Sequence, residues 1–254
     1  MKKSLSLKCF SPPVMIATFV VEVLLAAYTV WRYKLNSVTR LVVAILLNLA
    51  LFQLAEYNVC EGAFGIDGLS WSRLGYVAIT TLPPLGYHLA TKLARDTKNR
   101  RLSIGFAYAT GVAFAGFFAF TGWGITSQAC LGNYVIFETA QYATSAHAVY
   151  YYGWLIMGTV YAFYSARRVS DAYRAAALRA LAVGYLSFMI PTTTANIVDP
   201  STLTGIPSIM CGFAVILAVV LAGEVMPQLY GSRAISSVFD SGQRRDSARE
   251  NRAA

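Results

Sequence analysis

Residues 41–59 read LVVAILLNLALFQLAEYNV. As a helix rising 1.5 Å per residue, this stretch is about 28 Å long, close to the hydrocarbon thickness of a bilayer. It does not alternate with period two as a barrel strand does, and a helix satisfies its own backbone hydrogen bonds in hydrocarbon. Strong polarity begins only late, where Gln53 and Glu56 lie one turn apart on one face. Outward from this stretch, the same apolar length recurs at 13–32, 71–93, 103–123, 146–165, 175–197 and 205–226. Charged residues make up 13% of the 254-residue chain and hydrophobic ones 56%. A soluble domain carries roughly 25% charged residues, so a water-facing globule is excluded, and the apolar and aromatic excess excludes a disordered chain. The expected fold is all-α: a polytopic membrane protein whose seven transmembrane helices form a bundle over 13–226. An N-terminal tail at 1–12 precedes it, and 227–254, rich in Ser, Arg and Asp, is expected to be a disordered cytoplasmic tail.

The 21 Lys and Arg residues divide unevenly between the connections. The first, third and fifth connections and the C-terminal tail hold seventeen of them, among them Arg32, Lys92, Arg167 and Arg244. The other side holds Lys2, Lys3, Lys8 and Arg73. The positive-inside rule therefore puts the N-terminus outside and the C-terminus in the cytoplasm, against the local vote of the three N-terminal lysines. A multi-pass protein of the cell membrane is expected. The net charge of +9 is then topology and contact with anionic lipid, and no nucleic-acid partner is called for. A cleaved signal peptide over the first span is disfavoured. Ala26-Ala27-Tyr28 is a poor cleavage site, Trp31-Arg32 follows at once, and Glu22 interrupts the apolar run.

Cys60 sits just past the second span and Cys130 in the long fourth connection, at about 124–145. Both fall on the predicted outer side, where oxidation can occur. A disulfide between them would tie the longest outer connection to the bundle; two free thiols are the alternative. Cys211 reads as a small packing residue inside the last span, and Cys9 has no assigned role. With Tyr134, Phe137 and Tyr142, the fourth connection reads as a short lid.

A charged group at the centre of a membrane helix costs about 3 kcal/mol on insertion scales, so such groups face the bundle interior. Glu22, near mid-depth of the first span, either contacts a ligand or cation or bonds between helices. Glu56 ends the second span on the side from which Arg73 enters the third. An ion pair between them is therefore expected, as a clamp between two helices or as the floor of an outward-facing pocket. Glu22, Gln53, Glu56, Arg73 and Asn196 are the candidate ligand-binding residues. Pro83, Pro84 and Pro191 interrupt the third and sixth spans, each removing a backbone donor, and are candidate hinges. Thr192, Thr193 and Thr194 follow Pro191, placed to meet freed carbonyls or line a pocket. Tyr150-Tyr151-Tyr152 with Trp154 reads as an interfacial anchor in preference to an aromatic ligand cage. His88 and His147 lie at opposite depths and cannot share a metal; with no Cys/His cluster, neither a metal nor another cofactor is expected.

The second span ends Leu51-Phe52-Gln53-Leu54-Ala55-Glu56-Tyr57, and the third opens Trp71-Ser72-Arg73-Leu74-Gly75-Tyr76 and runs into Leu82-Pro83-Pro84. The sixth runs into Ile190-Pro191, followed by Asn196. With seven apolar stretches and short loops, this pattern resembles the seven-transmembrane N-terminal sensory module of bacterial and archaeal histidine kinases, over roughly residues 13–226. The kinase, cyclase or other output domain that follows such modules has no counterpart in the sequence, so a stand-alone module is expected. The resemblance implies a sensor: a small apolar or amphipathic ligand binds from outside or from the lipid bilayer, and cytoplasmic loops relay the change to a signalling protein. A small-molecule or ion transporter with Glu22 as coupling carboxylate, or a structural membrane subunit, are the alternatives. An enzyme is not expected, since neither a nucleophile elbow nor a phosphate-cradling glycine loop is present. A retinal protein is excluded because the last span holds no lysine.

Overall fold

The computed structural model of the protein describes residues 12–131 and 134–230. Through them run helices α1 (Pro12–Arg32), α2 (Ser37–Glu61), α3 (Gly68–Leu93), α4 (Arg101–Phe120), α5 (Gln141–Ala166), α6 (Ala172–Val198) and α7 (Ile206–Tyr230). The expected all-α fold has one departure. The fourth connection is an antiparallel hairpin of β1 (Ser127–Leu131) and β2 (Tyr134–Glu138). Its alternation explains why it holds to the bundle: Val135 and Phe137 point inward and are buried, while Glu138 is exposed.

Five helices, α1, α2, α4, α6 and α7, are long and apolar enough to cross a membrane. Helices α3 and α5 are as long but carry more polar-tipped side chains, such as Tyr76, Thr80 and His88 on one and His147, Tyr150 and Tyr151 on the other. The reason is position. Helix α3 packs against α2, α4, α5 and α6, so its hydroxyls and rings meet protein partners. Peripheral helices show the opposite pattern. Helix α1 buries one stripe, Met15, Thr18, Glu22, Ala26 and Thr29, at the three-and-four spacing of a single helix face. Its other faces leave Leu24 and Trp31 exposed, as α4 leaves Leu102 and Phe120. Close packing of α2 on α3 depends on Gly75, where a Cβ would stand 3.2 Å from both Ala55 and Phe52.

Local chemistry sets the helix ends. The Asn36 Oδ1 accepts from the Val38 and Thr39 amides to start α2, and Gly62, at φ 68°, ends it in the left-handed conformation. Asp67 caps α3 and Asp171 caps α6. Helix α7 continues through a π-helical turn at Leu221–Val225 to Tyr230, past residue 226 where the tail was expected to begin. It persists because Leu229 is fully buried and Tyr230 is anchored: its ring lies 4.7 Å from that of Tyr33, and its hydroxyl donates to the Lys34 carbonyl at 2.7 Å. The rest of the expected tails, 1–11 with Cys9 and 231–254, lies outside the described residues.

Cross-links between connections define two ends. At one, the buried Arg174 guanidinium donates to the Leu93 carbonyl at 3.0 Å, and the Tyr161 hydroxyl donates to Asp96 Oδ2 at 2.8 Å. This end carries the lysines and arginines of the α1–α2, α3–α4 and α5–α6 connections. The other end carries the hairpin, joined to the end of α2 by a Cys60–Cys130 disulfide with Cα atoms 5.5 Å apart. Of the two alternatives open in the sequence, the bridge is the one formed. Cys211 is a buried free cysteine.

Candidate functional site

Beneath the hairpin lies a cavity of about 390 Å³, inside the size range of small-molecule sites, roughly 300–1,000 Å³. Its wall is aromatic: Tyr76 from α3, Phe118 from α4, Phe137 from β2, and His147 and Tyr151 from α5, closed by Met210 and Cys211 of α7. Thr126 and Glu138, both exposed, stand at the mouth. The rings support one another. Phe118 lies 4.7 Å from Tyr76 and 5.0 Å from His147 between centroids, and Phe137 sits 5.3 Å from Tyr76 in edge contact.

Polar bonds lock the wall in place. His147 Nε2 is 3.1 Å from the Thr80 hydroxyl. The Tyr150 hydroxyl donates to the Thr80 carbonyl at 2.7 Å. That carbonyl is the acceptor which Pro84, lacking an N–H, leaves without its helical donor. Helix α3 stays continuous through Pro83 and Pro84, both buried. Gly111 of α4 makes the room: a Cβ there would stand 2.8 Å from the Tyr150 hydroxyl and 3.3 Å from Pro84. In α6, the Thr192 hydroxyl returns to the Phe188 carbonyl at 2.7 Å.

The five candidate ligand-binding residues fall elsewhere, since none lines this cavity. Glu22, Gln53 and Glu56 are buried. Glu56 lies within electrostatic reach of Tyr76 and Cys211, two wall residues, and of Glu22. Both oxygens of Glu22, Oε1 of Glu56 and Nε2 of Gln53 have no hydrogen-bond partner among the described residues. The expected Glu56–Arg73 ion pair is not formed. Glu56 is turned toward α7, where the Ser208 hydroxyl faces it, while the half-buried Arg73 leaves Nε unpartnered. Depth alone suggested the pair; the helical face of Glu56 decides against it. Asn196 is half-buried with Oδ1 unpartnered, and Pro191 lies inside a continuous α6. His88 is near the basic end, where Nδ1 is 3.1 Å from the Tyr108 hydroxyl.

The wall residues carry a sequence signal of their own. Thr144, His147 and Tyr151 recur at three and four residues on α5, as Tyr76 and Ile79 do on α3, and all line the cavity. Such a polar-aromatic stripe within an apolar helix marks an inward face. Phe137 and Glu138 could not be placed this way, because the strand that aims them lies in a connection.

The hairpin is the cavity's cover and is held at three points. These are the disulfide, the Phe137 ring against Tyr76 and Phe52, and the Val135 amide, which donates to the Ser208 hydroxyl at 3.3 Å. No known protein family matches the chain, and no curated protein does. Among the described residues no group of three or more His, Cys, Asp or Glu is placed to hold a metal ion. What the fold and the cavity define together is a bundle of apolar helices with a covered, aromatic-walled, ligand-sized chamber at one end.

Proposed function

We propose that the protein is a multi-pass sensor of the cell membrane. In this reading all seven helices span the bilayer, the hairpin end faces outside and the basic end faces the cytoplasm, as the positive-inside rule requires. A small apolar or amphipathic ligand enters the cavity from outside or from the lipid. Its binding shifts helix packing around Pro83, Pro84 and Pro191, and the cytoplasmic connections pass that shift to a signalling protein. A ligand can bias two packings only through unequal affinity for them. A covered cavity supports this, because its walls come from α3, α4, α5, α7 and the hairpin, which must all re-pack together.

The observation that carries the proposal is the aromatic chamber beneath the hairpin. The test is thermal unfolding of the purified chain with lipid extracts and small amphipathic compounds. A ligand at a hundred times its Kd stabilises by about 2.7 kcal/mol, and Ala148→Trp, which fills the chamber, should abolish the shift. An unfolding temperature that no extract or compound moves counts against the proposal. The second reading, a small-molecule or ion transporter coupled through Glu22, is favoured by one observation: both oxygens of this buried carboxyl lack a partner among the described residues. Flux into proteoliposomes that vanishes in Glu22→Gln would select it.

A further inference from the structure

We infer that the cavity selects organic cations: small molecules with an aromatic or short alkyl body and an ammonium head. The inference rests on the cavity being a ligand site and names the ligand's chemistry.

Three observations point the same way. The rings of Tyr76, Phe118, Phe137 and Tyr151 line the chamber, and an aromatic ring attracts a cation lying within about 6 Å of it. Glu138, at the mouth, is a lining carboxylate, and no lysine or arginine lines the chamber. Finally, among the described residues the hairpin end carries Glu61, Asp67, Glu138 and Asp199 against one base, Arg73, which is absent from the lining, while Lys2, Lys3 and Lys8 of the same side lie outside the described residues. An excess of one sign around a cleft with low-dielectric walls concentrates the opposite charge there.

The physical case is a comparison of three heads on one body. A neutral head gains only apolar burial. An anionic head would stand against Glu138. A quaternary ammonium gains the aromatic rings and the Glu138 carboxylate, and it needs no hydrogen-bond donor or acceptor from the wall. His147 does not oppose it with a free ring nitrogen at Nε2, which Thr80 engages.

The test uses the full chain in lipid nanodiscs and three probes of similar shape: benzyltrimethylammonium, neopentylbenzene and phenylacetate. Specific binding is the part that Ala148→Trp removes. Benzyltrimethylammonium should bind about tenfold or more tightly than neopentylbenzene, and phenylacetate should not bind. Glu138→Gln should weaken the cation about threefold and leave the neutral probe unchanged. Equal or better binding of the neutral or anionic probe overturns the inference and leaves a ligand-binding chamber standing. Cation binding that Glu138→Gln leaves unweakened also overturns it. Failure of all three probes overturns the inference together with the reading of the chamber as a ligand site.

Discussion

Glu22 is the residue whose burial the packing does least to offset. It lies in the middle of the only buried stripe of α1, fully enclosed, with neither carboxyl oxygen bonded among the described residues. An unbonded polar group in an apolar setting costs about 1–3 kcal/mol in protein mutational data. Glu22→Leu is therefore expected to stabilise the purified protein by about that amount in thermal unfolding; a fall in stability would show that the carboxyl has a structural partner. Tyr150 is the opposite case. Its hydroxyl serves the carbonyl that Pro84 leaves open, so Tyr150→Phe should cost about 1–3 kcal/mol by stranding a buried acceptor. The same substitution in a Pro84→Ala background should cost clearly less, because an alanine at that position restores the helical donor. The proline pair was legible in the sequence as a break in the ladder. Its remedy was not, since Tyr150 lies 70 residues from the Thr80 carbonyl it serves and only the α3–α5 packing brings them together.

At the level of elements, the hairpin and the α3–α4 connection behave as separate latches. The disulfide closes a loop between positions separated by 70 residues. In a soluble chain such a loop would be worth about 4 kcal/mol in lost unfolded-state entropy, and that is an upper bound wherever the intervening helices are held in a bilayer. On the basic end, Tyr161, Asn99 and Arg100 all donate to Asp96. These bonds, the Tyr161 hydroxyl foremost, hold the Asp96 carboxyl below the usual carboxylate range. Because the folded value is lower than the unfolded one, this latch contributes fully above the ordinary carboxylate range and is lost as pH falls through the depressed value. An NMR titration of Asp96 should show its midpoint rising in Tyr161→Phe; an unmoved midpoint would assign the effect elsewhere. Helix existence was legible because each stretch is long and apolar. The hairpin was legible only as a connection with inward aromatics, since its alternation spans five residues per strand and competes with no apolar run.

For the whole molecule, charge is sorted by end. The basic connections lie together at one end, and among the described residues the hairpin end holds acids with Arg73 alone among the bases. With Cys9 replaced by Ser, Thr97→Cys should react with a membrane-impermeant maleimide only after the cells are opened. Ser127→Cys, on the exposed face of the hairpin, should react in intact cells. The reverse pattern would invert the proposed orientation. Seven apolar stretches were readable one by one, and their boundaries hold to within a few residues save where tertiary contacts extend a helix, as at Tyr230. The chamber was not readable, because it exists only where five elements meet, and each contributes from one to five residues that look ordinary within their own stretch. The polar residues that stood out, Glu22, Gln53 and Glu56, stood out because they are costly, and the structure buries all three outside the lining of the chamber.

Ser208 has one hydroxyl for two neighbours. Its oxygen takes the Val135 amide at 3.3 Å, at the long end of the hydrogen-bond range, and Glu56 stands on its other side. Anything that wedges under Phe137 and raises the strand by a fraction of an ångström breaks the weaker of these two engagements first. Ser208 is then left with Glu56 alone of the two. In the proposed sensor, an occupied chamber would thus reach the interior first through this one serine, ahead of any movement of a helix.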